Sequence, residues 1–248
     1  MDHKSYFFYV SVIALRYFLG AGLFFCLFYY LLRDKVSKLK LQKDFPKNKM
    51  YFFEIGHSSL TFLIFAGYAF LIFQTPLEQH TTLYFDISLY GIPYFLCSIL
   101  VVVFLHDTYF YWTHRIMHHP RLFKYFHLVH HNSTNPSPWA AYSFHPLEGL
   151  VEGGFFLLVV FLIPIHPYSL LLFTLFTLLF NIYGHLGYEI IPKKILTSKL
   201  GKWINTSTSH NMHHKYFTGN YSLYFRFWDI VMKTTHKKYN ERVERLKF

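Results

Sequence analysis

The sequence predicts an all-α, polytopic membrane protein, with about four to five membrane helices carrying a helical, histidine-rich cap on the cytosolic side. Three observations carry that expectation. Of 248 residues, 53% are hydrophobic and only 15% charged, where a soluble domain carries roughly 25% charge. The apolar residues come in runs long enough to cross a bilayer. Lys and Arg gather beside those runs, in 33–49 and 233–247. Disorder is excluded by the same composition.

A spanning helix needs about 20 mostly apolar residues. The first run is Tyr6 to Leu32, interrupted by Arg16, which faces other helices or snorkels to an interface. It is long and no small-residue cleavage site follows, so it reads as a membrane helix and not as a signal peptide. The second run is Ile55–Phe73 and the third Ile87–Leu105. The fourth and fifth, Leu150–Ile163 and Tyr168–Tyr183, are short and joined by Pro164-Ile165-His166-Pro167. That pair reads as a helical hairpin that spans the bilayer or dips into it.

Orientation follows from the loops. Arg33, Lys35, Lys38, Lys40, Lys43, Lys47 and Lys49 fill the first loop, whereas residues 74–86 hold no Lys or Arg. The positive-inside rule makes the first loop cytosolic and the second not. The third helix then returns to the cytosol near Leu105, and His106 to His145 lies there. If the hairpin goes out and back, 186–248 lies there too, and the basic C-terminal stretch agrees independently. A net charge of +11 therefore reads as membrane topology. No nucleic-acid-binding motif accompanies it, so no nucleic-acid partner is expected. Cys26 and Cys97 read as small buried hydrophobes and offer neither a disulfide framework nor a thiolate metal site.

Histidine is the unusual residue, with 17 copies. Three segments stand out: His114-Arg-Ile-Met-His118, His127-Leu-Val-His130-His131 and His210-Asn-Met-His213-His214. Helical positions i, i+3 and i+4 share a face, so each segment can aim two or three imidazoles at one point. Imidazole ligates Zn, Cu, Fe and Ni. A structural zinc takes four ligands; the eight imidazoles of these segments fit two ions better. His3, His57, His80, His166 and His236 are isolated and read as ordinary hydrogen-bonded residues. His119 points about 100° away from His118 on a helix and is left out.

The chain resembles the fatty acid hydroxylase/sterol desaturase superfamily of membrane di-iron enzymes, and within it the sterol C4-methyl oxidase and C5-desaturase branch. The residues that carry the resemblance run Asp107-Thr-Tyr-Phe-Tyr-Trp-Thr-His114-Arg-Ile-Met-His118, Lys124-Tyr-Phe-His127-Leu-Val-His130-His131 and Phe144-His145-Pro-Leu-Glu148. They continue as His185-Leu-Gly-Tyr-Glu189 and His210-Asn-Met-His213-His214-Lys-Tyr-Phe-Thr-Gly-Asn-Tyr221, and end in Trp228-Asp229. The resemblance covers about 95–235, the expected catalytic domain; the N-terminal membrane helices occupy 1–94 and a basic tail 236–248. It adds His185 to the eight clustered histidines. His145 is a further ligand or a partner of one. Glu189 stands where acyl 2-hydroxylases carry a second histidine, so it is a carboxylate ligand or supports one. Asp107, Glu148 and Asp229 are candidate acceptors for the ligands' second ring nitrogens, and Asp107 shares the His114 face seven residues away. Trp228 reads as a packing aromatic.

The resemblance further implies two iron ions, O2 as co-substrate, and hydroxylation or desaturation of a sterol-like or fatty-acyl lipid drawn from the membrane. Carotenoids fit the same reading. The chain carries no Gly-rich dinucleotide fingerprint and no cytochrome b5 motif. The resemblance implies that electrons come from a separate ferredoxin or cytochrome b5 fed by an NAD(P)H reductase. The second reading is a His-rich metal transporter or metal-binding membrane protein, but a transporter should carry ligands near the bilayer midplane, and the helix centres hold almost none. A metal hydrolase would need Glu148 or Glu189 as its base.

Overall fold

The computed structural model describes residues 3–246. Met1 and Asp2 lie outside the described residues, as do Lys247 and Phe248 at the end of the basic tail. The fold is helical, and among the described residues extended pairing is confined to isolated bridges. Four helices are long and apolar enough to cross a membrane: His3–Leu31, Asn48–Phe73, Gly91–Met117 and Pro167–Gly184. We label them α1 (His3–Cys26, continued by a π-helical turn at Leu27–Leu31), α2 (Asn48–Phe73), α3 (Gly91–Met117) and α7 (Pro167–Gly184). Between α3 and α7 come α4 (Pro120–Phe126), α5 (Leu128–His131) and α6 (Pro146–Leu162). After α7 follow α8 (Lys193–Leu196), α9 (Ser207–Tyr216), α10 (Phe227–Val231) and α11 (Tyr239–Glu244). The protein is an integral membrane protein.

The expected hairpin is present as α6 and α7. Each opens with a histidine whose ring nitrogen accepts a backbone N–H two residues on, His145 from Leu147 and His166 from Tyr168. Proline follows each cap at the first helical position, where its missing N–H costs nothing. The 17 residues of α6 span only about 25 Å at ~1.5 Å per residue. Its glycines let it lie close to α2: a Cβ on Gly153 would collide with the Tyr68 ring.

Side chains at four-residue spacing, Ile13, Tyr17 and Ala21, turn one stripe of α1 inward. Leu19, Leu96 and Leu100 point outward, where a bilayer would cover them. Cys26 and Cys97 are also exposed, which corrects the expectation that they are buried. An apolar run does not distinguish a lipid-facing position from a core-facing one. Arg16 turns inward and donates from Nη1 to Thr174 Oγ1 of α7 at 2.8 Å.

The first basic loop packs onto the cap. Leu41 N donates to Gly187 O at 3.0 Å and Glu189 N to Leu39 O at 2.9 Å. Gln42 Nε2 donates to Thr134 O at 3.0 Å and Asn211 Oδ1 at 3.2 Å. The loop richest in cations and the histidine cap therefore share one end of the helix bundle.

Candidate metal centre

The last turn of α3 delivers His114 and His118. The chain then reverses through His119-Pro120, with His119 Nδ1 accepting Arg121 N to open α4. His127 ends α4, and α5 carries His130 and His131. His185 closes α7. Thr206 caps α9 by accepting Ser209 N, which fixes the helix bearing His210, His213 and His214.

These nine histidines form two groups. His114, His118, His127, His131 and His213 make one; His130, His185, His210 and His214 make the other, and within each group the ring nitrogens all lie within 4.8 Å of one another. Neighbouring residues diverge: His130 and His131 serve different groups, as do His213 and His214. Successive helical residues point about 100° apart, so a single helix supplies both sites.

Five of the nine tautomers are fixed by the backbone. Nδ1 of His114 donates to Tyr221 O at 2.8 Å, His213 to Gly219 O at 2.8 Å, and His214 to Ser133 O at 3.0 Å. His185 donates to Asn181 O at 2.8 Å and His130 to Ser143 O at 3.2 Å. A carbonyl only accepts, so each of these Nδ1 atoms carries the proton and each Nε2 presents a lone pair. The Nε2 atoms face one another: His130–His185 are 3.2 Å apart, His185–His210 2.9 Å, His185–His214 3.1 Å and His131–His213 3.0 Å. Facing lone pairs repel unless a cation sits between them. Metal–nitrogen bonds of about 2.1 Å at right angles put two nitrogens about 3.0 Å apart. The donor set therefore fits two ions.

Protonation does not compete near neutral pH. Burial, reinforced by neighbouring imidazoles, holds His127, His130, His131, His210 and His214 well below the usual histidine range. Burial lowers His185 and His213 to about 4 against the opposing pull of their carbonyl bonds.

The carboxylates take different places. Glu148, 1% exposed, accepts His127 Nδ1 at 2.7 Å. Asp229 acts one step further out. It accepts Tyr221 N and Ser222 N, both at 3.0 Å, and so holds the peptide whose carbonyl orients His114. Asp107 accepts Tyr224 N at 2.7 Å and Phe225 N at 3.2 Å, anchoring that loop and bonding to no clustered histidine. Glu189 accepts Tyr183 Oη and Ile191 N through one oxygen, and Thr208 N and Oγ1 through the other. It pins the start of α9 to the end of α7. His145 stands outside both groups as the cap of α6. Trp228 donates to Thr108 Oγ1 and stacks on Tyr111.

A cavity of about 520 Å3 lies beneath the histidines. Phe110 and Phe144 line it, and their ring centroids lie 4.9 Å from His114 and 5.3 Å from His130, one ring of each group. Lining residues on α7 run from Pro167 to Asn181, about 21 Å at ~1.5 Å per residue. Phe8 and Tyr168 line the far end and are exposed on the outer helix surface. The walls are chiefly aromatic and aliphatic. The polar side chains among them include His106, Glu152 and Thr177, which lie inside apolar runs and gave no signal in the sequence.

The fatty acid hydroxylase family model matches residues 99–234. The chain belongs to that family. All nine clustered histidines fall within the match. A Δ7-sterol 5(6)-desaturase of Gibberella zeae is 32% identical over 201 residues, 81% of this chain and 60% of the relative. Rat methylsterol monooxygenase 1 is 32% identical over 226 residues, 85% and 72% of the two chains. Human lathosterol oxidase is 32% identical over 142 residues, 57% and 46%. The chain thus spans between 46% and 60% of the length of the first relatives it matches. No solved structure matches it significantly. The sterol desaturase and methylsterol monooxygenase relatives support the sterol C4-methyl oxidase and C5-desaturase branch of that family. The remaining walls of the cavity, from α1 and α2, lie outside the family match.

Proposed function

We propose that this chain is a membrane non-haem di-iron oxidoreductase that uses O2 to hydroxylate or desaturate a C–H bond of a sterol-like lipid. One observation carries the reading: nine imidazoles gather their ring nitrogens in two adjoining groups, above a largely apolar cavity. The named relatives act on sterols. Imidazole suits iron among other metals, and the two groups would each hold one ion. With O2, such a pair supplies the oxidising power to break an unactivated C–H bond. Over the whole reaction O2 takes four electrons and becomes water or alcohol oxygen; two electrons leave the substrate and two come from an external donor.

The chain's own residues do the rest. Glu148 and five backbone carbonyls hold six of the nine rings with Nε2 inward. Phe110 and Phe144 exclude water and set the target carbon against both groups. The exposed end at Phe8 and Tyr168 admits a lipid from the bilayer. Asp229, Asp107 and Glu189 position the segments that carry or orient ligands, and His145 fixes the start of α6. The shared position of basic loop and cap supports a cytosolic active site, within reach of a soluble or membrane-bound ferredoxin or cytochrome b5. A transporter reading fits less well, because the nine nitrogens close around two points and line no pathway.

The test uses purified protein in nanodiscs. Metal analysis should give two irons per chain, and with a ferredoxin or cytochrome b5 system and O2 the protein should convert a Δ7-sterol or a 4-methylsterol. His130→Ala should abolish conversion. Well under two metals per chain, or conversion that survives His130→Ala, overturns the proposal.

A further inference from the structure

The cavity contains one acid with nothing to bond to. Glu152 lies on α6 and is 7% exposed, yet its Oε1 is buried without a hydrogen-bond partner. The two ion pairs among the described residues do not include it. Its nearest tyrosines and His106 are committed elsewhere. Tyr109 Oη donates to Val151 O at 2.7 Å and Tyr68 Oη to Leu150 O at 2.8 Å. Arg16, on the α1 wall, donates from Nη1 to Thr174, while its buried Nε has no partner. His106 bonds through Nδ1 to Tyr224 Oη at 2.8 Å. A buried polar group without a partner is a cost that proteins rarely carry unless something else satisfies it.

Position says what that partner would be. Glu152 follows Glu148 by one helical turn, about 6 Å along the axis, and Glu148 touches His127. A group bound by Glu152 therefore lies within about one turn of the metal pocket. The reacting carbon and the bound group belong to the same end of the substrate. The rest of the cavity extends away from them to its exposed mouth, lined chiefly by apolar side chains with the Arg16–Thr174 pair among them.

We propose that Glu152 is a specificity residue that hydrogen-bonds a hydroxyl on the ring end of the lipid substrate, beside the carbon to be oxidised. The site then selects a hydroxylated polycyclic lipid over an unadorned hydrocarbon. A site built to bond a hydroxyl rejects the analogue that lacks it, because its buried polar group is left unpaired. The proposal rests on the lipid-oxidising reading of the cavity, and its test requires no turnover.

The experiment measures binding to the metal-loaded protein in detergent. Tritiated 5α-cholestan-3β-ol is displaced by unlabelled 5α-cholestan-3β-ol or by 5α-cholestane, which lacks the hydroxyl. Wild type should favour the alcohol by about 5- to 150-fold. Glu152→Leu should lose most of that preference while binding cholestane as well as wild type does. Infrared spectra of wild-type protein supply a second readout that does not depend on the Leu variant folding. Adding the alcohol, but not cholestane, should shift a carboxyl C=O band that is absent from Glu152→Gln. Equal binding of the two ligands by wild type, an unchanged preference in Glu152→Leu, or an unshifted band overturns the role of Glu152 and leaves the lipid reading standing. If neither ligand binds wild type, both readings fail.

Discussion

The bond between Glu148 and His127 gives the sharpest test of how the five-histidine group is held. Both side chains are at most 2% exposed, and Glu148 Oε1 is the acceptor for Nδ1 at 2.7 Å. Replacing Glu148 by Leu removes the acceptor from a buried ring. The imidazole can then place its proton on Nε2, which cancels the lone pair that faces His114 Nε2 at 2.9 Å. Loss of such an orienting partner costs 10- to 100-fold in metal affinity, about 1.4–2.7 kcal/mol. Glu148→Gln still offers a carbonyl oxygen to Nδ1 and should fall at the mild end of that range. The assay is competition with a chelator, with metal analysis at each concentration. In Glu148→Leu one ion per chain should leave at 10- to 100-fold lower chelator than in wild type, and the other should be retained. If both ions leave together, or neither affinity moves, Glu148 does not act through His127.

Two further outcomes follow from the geometry. Glu189→Gln turns an amide toward donors that now meet a carboxylate, either Thr208 N and Oγ1 or Tyr183 Oη and Ile191 N. Losing two charge-assisted bonds costs about 3–6 kcal/mol; the thermal midpoint should fall and metal should be lost first from the group containing His210 and His214, and a variant with both intact would remove Glu189 from the scaffold. The metal-free protein should weaken in acid. His185 and His213 titrate at about 4 when folded against 6.5 when unfolded, so the unfolded chain binds protons first and stability drains as pH falls from about 6.5 to about 4. A thermal midpoint that stays flat from pH 7.5 to 5 would contradict this.

The two histidine groups are legible in the sequence because they rest on local spacing. Positions i, i+3 and i+4 on α3, α5 and α9 suffice to aim the rings, and Gly187 after His185 marks a turn that needs its positive φ of 75°. What spacing cannot convey is reach. Asp107 shares a face with His114, but seven residues place it about 10 Å along the axis, too far to touch that ring, and it bonds the 224–225 backbone instead. The acceptors that fix most tautomers are main-chain carbonyls at Ser133, Ser143, Asn181, Gly219 and Tyr221. Any residue type supplies a carbonyl, so no residue identity announces them. Glu152 is hidden for another reason. One acid in a run of Leu, Val, Phe and Gly reads as an interruption until the helix is seen to turn it into a cavity.

The stitch between the first loop and the segment after His185 has a consequence in time. Leu41 pairs with Gly187 and Leu39 with Glu189, partners made almost 150 residues apart. At translation speeds of about 5–20 residues per second the loop waits roughly 7–30 s for its other half to be made. On the proposed cytosolic placement, its lysines and arginines are free during that interval to hold the nascent chain against the anionic lipid surface and bias which way α1 and α2 thread. Only afterwards does the same stretch become a wall of the cap. On that placement one segment is topogenic signal first and masonry second, so a charge removed from it would act on insertion before it acted on the finished fold.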